Sequence, residues 1–309
     1  MATEPMLARF DVTVSPPARF APSRVLADYW TLTKPEVNFL IVITSFAGFC
    51  LARANGWRDF PFWLSINALL STLLVASGTG TLNQYLERRF DTQMRRTARR
   101  PLAAGRVKPG AVLWFGLALS FLGSVYLAVE VNILASLLAL TTLLSYLFVY
   151  TPLKRKTPLC TLVGAFPGAM PPLIGWAAAS GKLNFQAWTL YAILFLWQFP
   201  HFMAIAWMYR EDYARAGYQV LPSGPCARAR LVRLQTVLPL LALLPLSLLP
   251  EWMGEPRFYG TGALLLGGGF FYYGAQFVVH KSSPAARRLL AASIIYIPAL
   301  FVLMVLARG

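Results

Sequence analysis

Two short groups of acidic residues follow apolar stretches of this chain, and the spacing of the first suits a hard cation. Asn83, Glu87 and Asp91 recur every fourth residue in NQYLERRFD, so a helix through them would place all three on one face. Two carboxylates in one row repel each other, and a bound divalent cation would remove that cost. Because carboxylate and amide oxygens are ligands of Mg²⁺, the row predicts a magnesium site. The alternative is pairing with neighbouring arginines, worth only tenths of a kcal/mol at a wet surface.

The residues after this row are strongly basic. Anions and cations that alternate at a membrane face suit a metal-bridged diphosphate, with the metal on the carboxylates and guanidinium groups on the phosphate oxygens. The alternative is that these cations retain the loop on one side of a membrane and bind anionic lipid. The eight cations are Arg88, Arg89, Arg95, Arg96, Arg99, Arg100, Arg106 and Lys108.

The second acidic group is Glu211 and Asp212 in WMYREDYARAGY. It follows the sixth predicted span, which runs in the same direction as the second, so both acidic groups are expected at one membrane face. The segment YTPLKRKT, with Lys154, Arg155 and Lys156, follows the fourth span and adds cations there. Together these elements predict a pocket for a lipid diphosphate at one end of an apolar bundle.

The elements that carry these groups must be membrane helices. Of the 309 residues, 57% are hydrophobic and only 13% are charged, about half the charged fraction of a soluble chain, which excludes a soluble enzyme and a disordered chain. Three separated cysteines and two histidines predict neither a disulfide framework nor a cysteine or histidine metal centre. Runs of roughly 20 apolar residues predict nine spans. Their limits are 36–54, 62–82, 110–128, 131–150, 159–179, 187–208, 232–250, 258–279 and 289–306.

The net charge of +16 is mainly a signal of topology. Nine spans put 23 of the 28 Lys and Arg on the side that holds the N-terminus and five on the other. This asymmetry predicts a cytoplasmic N-terminus, a C-terminus outside, and a bacterial cytoplasmic membrane rather than a mitochondrial inner membrane. It also argues against a nucleic-acid partner. Residues 1–30 are expected to be a cytoplasmic tail without a signal peptide, and 31–309 a single membrane domain.

The segment from Asn83 to Leu102 resembles the first motif of the UbiA superfamily of intramembrane prenyltransferases. YTPLKRKT, PGAMPPLIGWAAASG (167–181), FLWQFPHF (195–202) and REDYARAGY (210–218) are similar to the branch that farnesylates protoheme IX. The chain departs from the superfamily in two places. Glu87 stands where Asp is usual, and the second motif, which carries several aspartates in quinone prenyltransferases, is reduced to Glu211 and Asp212.

The resemblance implies an all-helical bundle of nine transmembrane helices with a central cavity. It implies transfer of the farnesyl group of farnesyl diphosphate to protoheme IX, giving heme O, with Mg²⁺ as cofactor and a heme A synthase as partner. Asn83, Glu87 and Asp91 would hold Mg²⁺, and Asp212 a second metal ion or a cation. Lys154, Arg155, Arg96 and Arg100 would contact the diphosphate. The remaining substrate-binding candidates are Tyr150, His201, Arg210 and Tyr213.

Three questions stay open on the sequence. His201 either binds the heme, through its iron or a propionate, or is a hydrogen-bonded residue of helix packing. The acceptor could be a quinone precursor or chlorophyllide instead of heme, although the reduced second motif and WQFPHF argue against it. A secondary transporter is the alternative of another class, but the acids cluster at one face instead of the bilayer midplane.

Overall fold

A computed structural model describes residues 22–53, 60–222, 224–252 and 256–308, and every regular element within these ranges is a helix. The helices are α1 (Pro22–Leu32), α2 (Pro35–Leu51), α3 (Phe62–Asp91), α4 (Pro109–Glu130), α5 (Ile133–Leu153), α6 (Cys160–Gly168), α7 (Pro171–Ser180), α8 (Phe185–Met208), α9 (Arg210–Arg215), α10 (Pro225–Trp252), α11 (Arg257–His280) and α12 (Ser283–Arg308).

The predicted all-α bundle is confirmed. Within the ranges above, eight helical segments are long and apolar enough to cross a membrane, counting α6 with α7. A ninth results if α1 and α2, which meet at a bend of 49°, form one span. Most of the predicted tail, residues 1–30, lies outside the described ranges, but its last part belongs to α1. The boundary at residue 31 stays a prediction.

Three helices are longer at charged ends than the predicted spans. α3 continues to Asp91 instead of ending at residue 82, α10 begins at Pro225 instead of 232, and α12 begins at Ser283 instead of 289. Hydropathy ends a span where charged residues begin, whereas backbone hydrogen bonding continues the helix into the polar interface. For α3 this extension includes the acidic row.

The fifth predicted span, 159–179, consists of two helices. α6 ends at Gly168 and α7 begins at Pro171, with Ala169 and Met170 between them. Proline has no N–H to donate and is favoured in the first turn of a helix. Pro171 and Pro172 therefore begin a new helix after the break.

The helices pack in two groups. One contains α2 to α5 with α7, and the other contains α8 with α10, α11 and α12. α2 and α7 cross closely: Gly48 faces the carbonyl of Pro172, and Gly175 faces the carbonyl of Ser45, with no room for a Cβ at either glycine. Small residues at such crossings let membrane helices approach to backbone contact.

A π-helical turn lies in the last part of α5, over Ser145–Tyr150. The amide of Thr151 donates to the carbonyl of Tyr146, which leaves one extra residue in the turn. The rings of Tyr146 and Tyr150 lie 5.1 Å apart on this turn, which precedes Lys154. π-turns inside α-helices are frequent at functional sites.

Candidate active site

The acidic row lies on one continuous helix, as its spacing predicts. Asn83, Glu87 and Asp91 all belong to α3 and are 1%, 7% and 2% exposed. They lie at the end of the bundle where α3, α5 and α8 end and α2 begins, which we call the mouth. A buried pair of carboxylates is costly without a counter-charge, so their surroundings define the site.

Each member of the row has its own basic partner. Lys34, in the break between α1 and α2, donates to Asn83 Oδ1 at 2.7 Å. Lys154 donates to Glu87 Oε1 at 2.9 Å. The third partner, Arg100, reaches both carboxylate oxygens of Asp91 at 3.0 and 2.8 Å. Ion pairing, the predicted alternative to metal binding, is present in part: Asp91 pairs with Arg100, but Glu87 pairs with Lys154 instead of a neighbouring arginine. Both carboxylates are buried instead of lying at a wet surface.

Lys154 is held by aromatic rings as well as by Glu87. Its ammonium group lies 4.6 Å from the centre of the Tyr150 ring and 5.8 Å from that of Tyr146, within the range of a cation–π interaction. Burial alone would lower the pKa of Lys154, but the carboxylate of Glu87 and then the nearby tyrosines hold it well above its ordinary value. Lys154 is thus a permanent cation of the mouth.

Tyr218 completes the coordination of Glu87. Its hydroxyl donates to Glu87 Oε1 at 2.9 Å, and the residue is 7% exposed. Burial raises the pKa of Tyr218, and the neighbouring carboxylate raises it further, so the hydroxyl remains a donor. The next amide, of Gln219, donates to the carbonyl of Lys154 at 2.7 Å. These two bonds fasten the segment after α9 to both α3 and the end of α5.

The second acidic group reaches the same mouth through Asp212. Its Oδ2 accepts from the backbone N–H of Arg96 at 3.1 Å, and Oδ1 pairs with Arg215. Asp212 is buried, whereas the side chain of Glu211 is 76% exposed. Asp212 therefore contacts the loop that follows the acidic row, 116 residues away at Arg96, and its charged partner is Arg215. That both acidic groups serve one site stays a prediction.

Four further predicted residues surround the mouth. Arg96 stacks over the Tyr209 ring at 4.8 Å, and Arg155 stacks over Phe90 at 4.2 Å. The guanidinium of Arg210 donates to the carbonyl of Trp207 at 2.9 Å, and the Tyr213 ring lies 5.9 Å from that of Tyr218. Their places fit substrate binding, and their roles stay predictions.

His201 lies in the contact between α8 and α12. Its Nδ1 is 2.8 Å from the hydroxyl oxygen of Ser293, and its ring stacks on Trp197 at 4.6 Å. Trp197 Nε1 in turn donates to the carbonyl of Ser293 at 2.8 Å. These are the contacts of a helix-packing histidine, so a role in heme binding stays a prediction.

The donors of the row fit Mg²⁺ when a phosphate completes its coordination. Within the described ranges, no three His, Cys, Asp or Glu side chains gather as a metal-binding group. The row offers two carboxylates and one amide oxygen. Since Mg²⁺ is commonly held by one or two carboxylates together with substrate phosphates, this donor set suits a metal bridged to a diphosphate more than a metal held by protein alone.

A cleft at the opposite end of the bundle has a different character. It encloses about 30 Å³, room for a water molecule. Its lining includes Leu51, Trp176, Leu190 and Met304 and contains none of the predicted site residues.

The fold and the site define an intramembrane prenyltransferase. The model of the UbiA prenyltransferase family matches residues 41–302. The chain belongs to the UbiA prenyltransferase family.

The predicted similarity to the heme-directed branch is also confirmed. Protoheme IX farnesyltransferase from Solibacter usitatus is 48% identical over 291 residues, which is 92% of this chain and 99% of the relative. A solved structure from a study of the biosynthesis of digeranylgeranylglyceryl phosphate synthase shares the fold, with a TM-score of 0.75. The two sequences are 17% identical, and the match covers 92% of this chain and 99% of that one. The structure of a UbiA homolog from Archaeoglobus fulgidus bound to GPP and Mg²⁺ matches with a TM-score of 0.62 at 16% sequence identity. That match covers 90% of this chain and 99% of the homolog.

Two residues of the site, Lys34 and Tyr218, are absent from the sequence-based candidates. Lys34 stands directly before Pro35, at the start of the first apolar span and on the side of the acids. Tyr218 is the last residue of the quoted segment REDYARAGY. A cation or hydroxyl next to a predicted motif was the available signal, but neither residue type by itself distinguishes a ligand from a packing residue.

Proposed function

We propose that this chain transfers the farnesyl group of farnesyl diphosphate to a vinyl group of protoheme IX, giving heme O and diphosphate. The observation that carries the proposal is the position of Glu87. Its carboxylate joins Lys154 of YTPLKRKT and Tyr218 of REDYARAGY at one buried point. Three motifs that are distant in sequence thus build one charged site at the mouth of an apolar bundle.

The mouth would bind the diphosphate, and the apolar helices would bind the farnesyl chain. Lys154, Arg100, Arg96 and Arg155 supply cations for the phosphate oxygens. Asn83, Glu87 and Asp91 would hold Mg²⁺, which when bound neutralises charge as it develops on the leaving diphosphate. Asp212, held by the Arg96 amide and Arg215, would keep the second loop over the site.

The chemical step is ionisation of an allylic diphosphate followed by attack of an electron-rich vinyl carbon. Breaking the bond from C1 to oxygen leaves a delocalised cation and a multiply charged leaving group. Lys154 and the arginines stabilise that leaving group because they are already in place when its charge develops. Water then adds to the heme-side cation and loses a proton to solvent, which gives the hydroxyethylfarnesyl side chain. The apolar interior keeps water away until the prenyl transfer is complete.

The site would face the bacterial cytoplasm. The basic loops lie at the mouth, and an excess of Lys and Arg marks the cytoplasmic side of a membrane protein. The N-terminus would then be cytoplasmic and the C-terminus outside. A heme A synthase is the predicted recipient of the product.

The direct test is a reaction of the purified protein with protoheme, farnesyl diphosphate and Mg²⁺, followed by mass spectrometry of the heme. We expect a mass increase that corresponds to one farnesyl group plus one hydroxyl group, and loss of that product when Mg²⁺ is chelated. A protein that leaves heme unchanged but prenylates an aromatic quinone precursor would contradict the choice of acceptor. Product formation without any divalent metal would contradict the metal–diphosphate site.

A further inference from the structure

The metal-ligand candidates and the basic residues of the mouth are matched one to one. Asn83 has Lys34, Glu87 has Lys154, and Asp91 has Arg100, at 2.7, 2.9 and 2.8 Å. Thus each side chain that would hold the metal is engaged by a cation, and each of these cations is engaged by a metal-ligand candidate. While the pairs persist, Asn83 Oδ1, Glu87 Oε1 and both carboxylate oxygens of Asp91 are engaged by cations.

We propose that Lys34, Lys154 and Arg100 are exchangeable partners of the acidic row, so that the metal ion and the diphosphate bind cooperatively. This inference rests on the proposed function, because it assumes a metal–diphosphate substrate. When the row turns to the metal, the three basic groups are released to the phosphate oxygens. The inference also assigns to Lys34 a role in binding the diphosphate.

Charge explains why one ligand alone would bind weakly. The row contributes two carboxylates and one amide oxygen, and its partners are two lysines and one arginine. A divalent cation alone would displace these partners and leave buried basic groups unpaired. A diphosphate alone would draw the cations away and leave buried carboxylates unpaired. Bound together, the two ligands provide a new partner for every group.

The position of Lys34 and its flexible side chain suit this exchange of partners. Its backbone has φ 56° in the break between α1 and α2, a conformation that is uncommon for a residue with a side chain. The neighbouring Pro35 begins α2, so the backbone there is fixed. The side chain runs along Gly80, where an added Cβ would lie 3.3 Å from its stem. A fixed backbone with a flexible four-carbon stem lets the ammonium move between two partners without movement of the helix.

The test compares metal binding with and without the diphosphate. Mn²⁺ serves as a paramagnetic probe for Mg²⁺, and an unreactive thio analogue of farnesyl diphosphate serves as the second ligand. Free Mn²⁺ is corrected by a titration without protein, because the analogue itself binds metal. In the wild type we expect the analogue to tighten Mn²⁺ binding by about 5- to 150-fold, the usual range of coupling between sites.

Lys34→Met is the informative variant, since Met keeps the length and backbone preference of Lys. We expect it to bind Mn²⁺ more tightly than the wild type without the analogue, because the competing cation is gone. With the analogue it should bind Mn²⁺ more weakly than the wild type, because one phosphate partner is lost. Lys154→Met should show the same pair of opposite changes. Lys281→Met, at an exposed lysine that also has a positive φ (47°) between two helices, is the matched control and should leave both affinities unchanged.

The inference is overturned if the wild type binds Mn²⁺ equally with and without the analogue. It is also overturned if Lys34→Met and Lys154→Met weaken binding to the same extent under both conditions. Since neither result depends on heme, the test is separate from that of the proposed function. Cooperative binding without farnesylated heme would support the inference and contradict the proposal that heme is the acceptor. Farnesylated heme without cooperative binding would support the proposed function and contradict the inference.

Discussion

The two acidic groups of the mouth differ in what their carboxylates face. In the first group, Glu87 and Asp91 lie on one helix face and both are buried. Glu87 contacts Lys154, 67 residues away, and Asp91 contacts Arg100, nine residues away. In the second group only Asp212 is buried, its cation is Arg215 three residues away, and Glu211 points outward. The first group therefore has the organisation of a ligand site, and the second that of a contact that fastens two loops.

This difference indicates that carboxylates of similar sequence context have separate tasks. Asp212 accepts a hydrogen bond from the backbone N–H of Arg96, and this bond positions the residues after the acidic row. If that is its task, its charge matters less than its ability to accept a hydrogen bond. The following substitutions test this division.

Asp91→Ala should have the largest effect. It removes a carboxylate from the row and leaves Arg100 without its partner, so we expect the farnesylation rate to fall by about a thousandfold. Heme farnesylation measured at saturating Mg²⁺ tests this. Asp28→Ala is the control, because it breaks another aspartate–arginine pair, that of buried Asp28 with exposed Arg106 at 2.8 Å, away from the row. A comparable loss in both variants would mean that folding, not ligand binding, explains the result.

Glu87→Gln should reduce the rate by about a hundredfold. The amide oxygen still accepts from Tyr218, so the loop contact is kept while the negative charge is lost. Glu87→Asp, which restores the residue usual in the superfamily, should recover part of the activity. If Gln and Asp were equally impaired, the length of the side chain and not its charge would be the requirement at this position.

Asp212→Asn should lower kcat/KM about tenfold, mainly through a higher KM for farnesyl diphosphate. The amide oxygen can still accept from the Arg96 N–H, and the loss is that of a hydrogen-bonded charge, about 1.5–3 kcal/mol at most. Arg215→Met should reproduce the effect if Asp212 holds a cation. A loss as large as that of Asp91→Ala, with Arg215→Met unaffected, would show that Asp212 itself holds a metal ion and would remove the distinction between the two groups.

Glu211→Gln should have the smallest effect. Its side chain is 76% exposed and pairs with Arg210 at 3.6 Å, an arrangement worth about 0–1 kcal/mol. We expect rate and KM to stay within about twofold of the wild type. A clear loss in steady-state assays would place Glu211 in the substrate site, contrary to its position.

Much of the fold follows from the sequence, because apolar length and charge placement are properties of each span by itself. The row Asn83–Glu87–Asp91 was predictable in the same way, since helical spacing alone brings its members together. The break between α6 and α7 was missed because the run 159–179 is uniformly apolar. There the prolines interrupt hydrogen bonding without interrupting hydropathy.

The partners of the row could not be predicted, because they depend on how separate helices meet. Lys34 and Asn83 are 49 residues apart, and Glu87 and Tyr218 are 131 apart. Any of the cations on that membrane face could have occupied these positions. The sequence likewise leaves the direction of the His201 ring undetermined, whereas in the structure it contacts Ser293 of α12.

The close crossing of α2 and α7 has a mechanical consequence. Gly48 lies near the end of α2 that is remote from the mouth, and Gly175 lies in the middle of α7. Near the remote end, Asn132 donates to the carbonyl of Ala177 at 2.8 Å, and Arg308 donates to that of Leu51. A bundle fastened by backbone contacts at one end can widen only at the other. If so, amide hydrogen exchange should be slow in α7 and faster in the helix ends beside the mouth. The macrocycle and the isoprenoid would then enter where the helices open most easily.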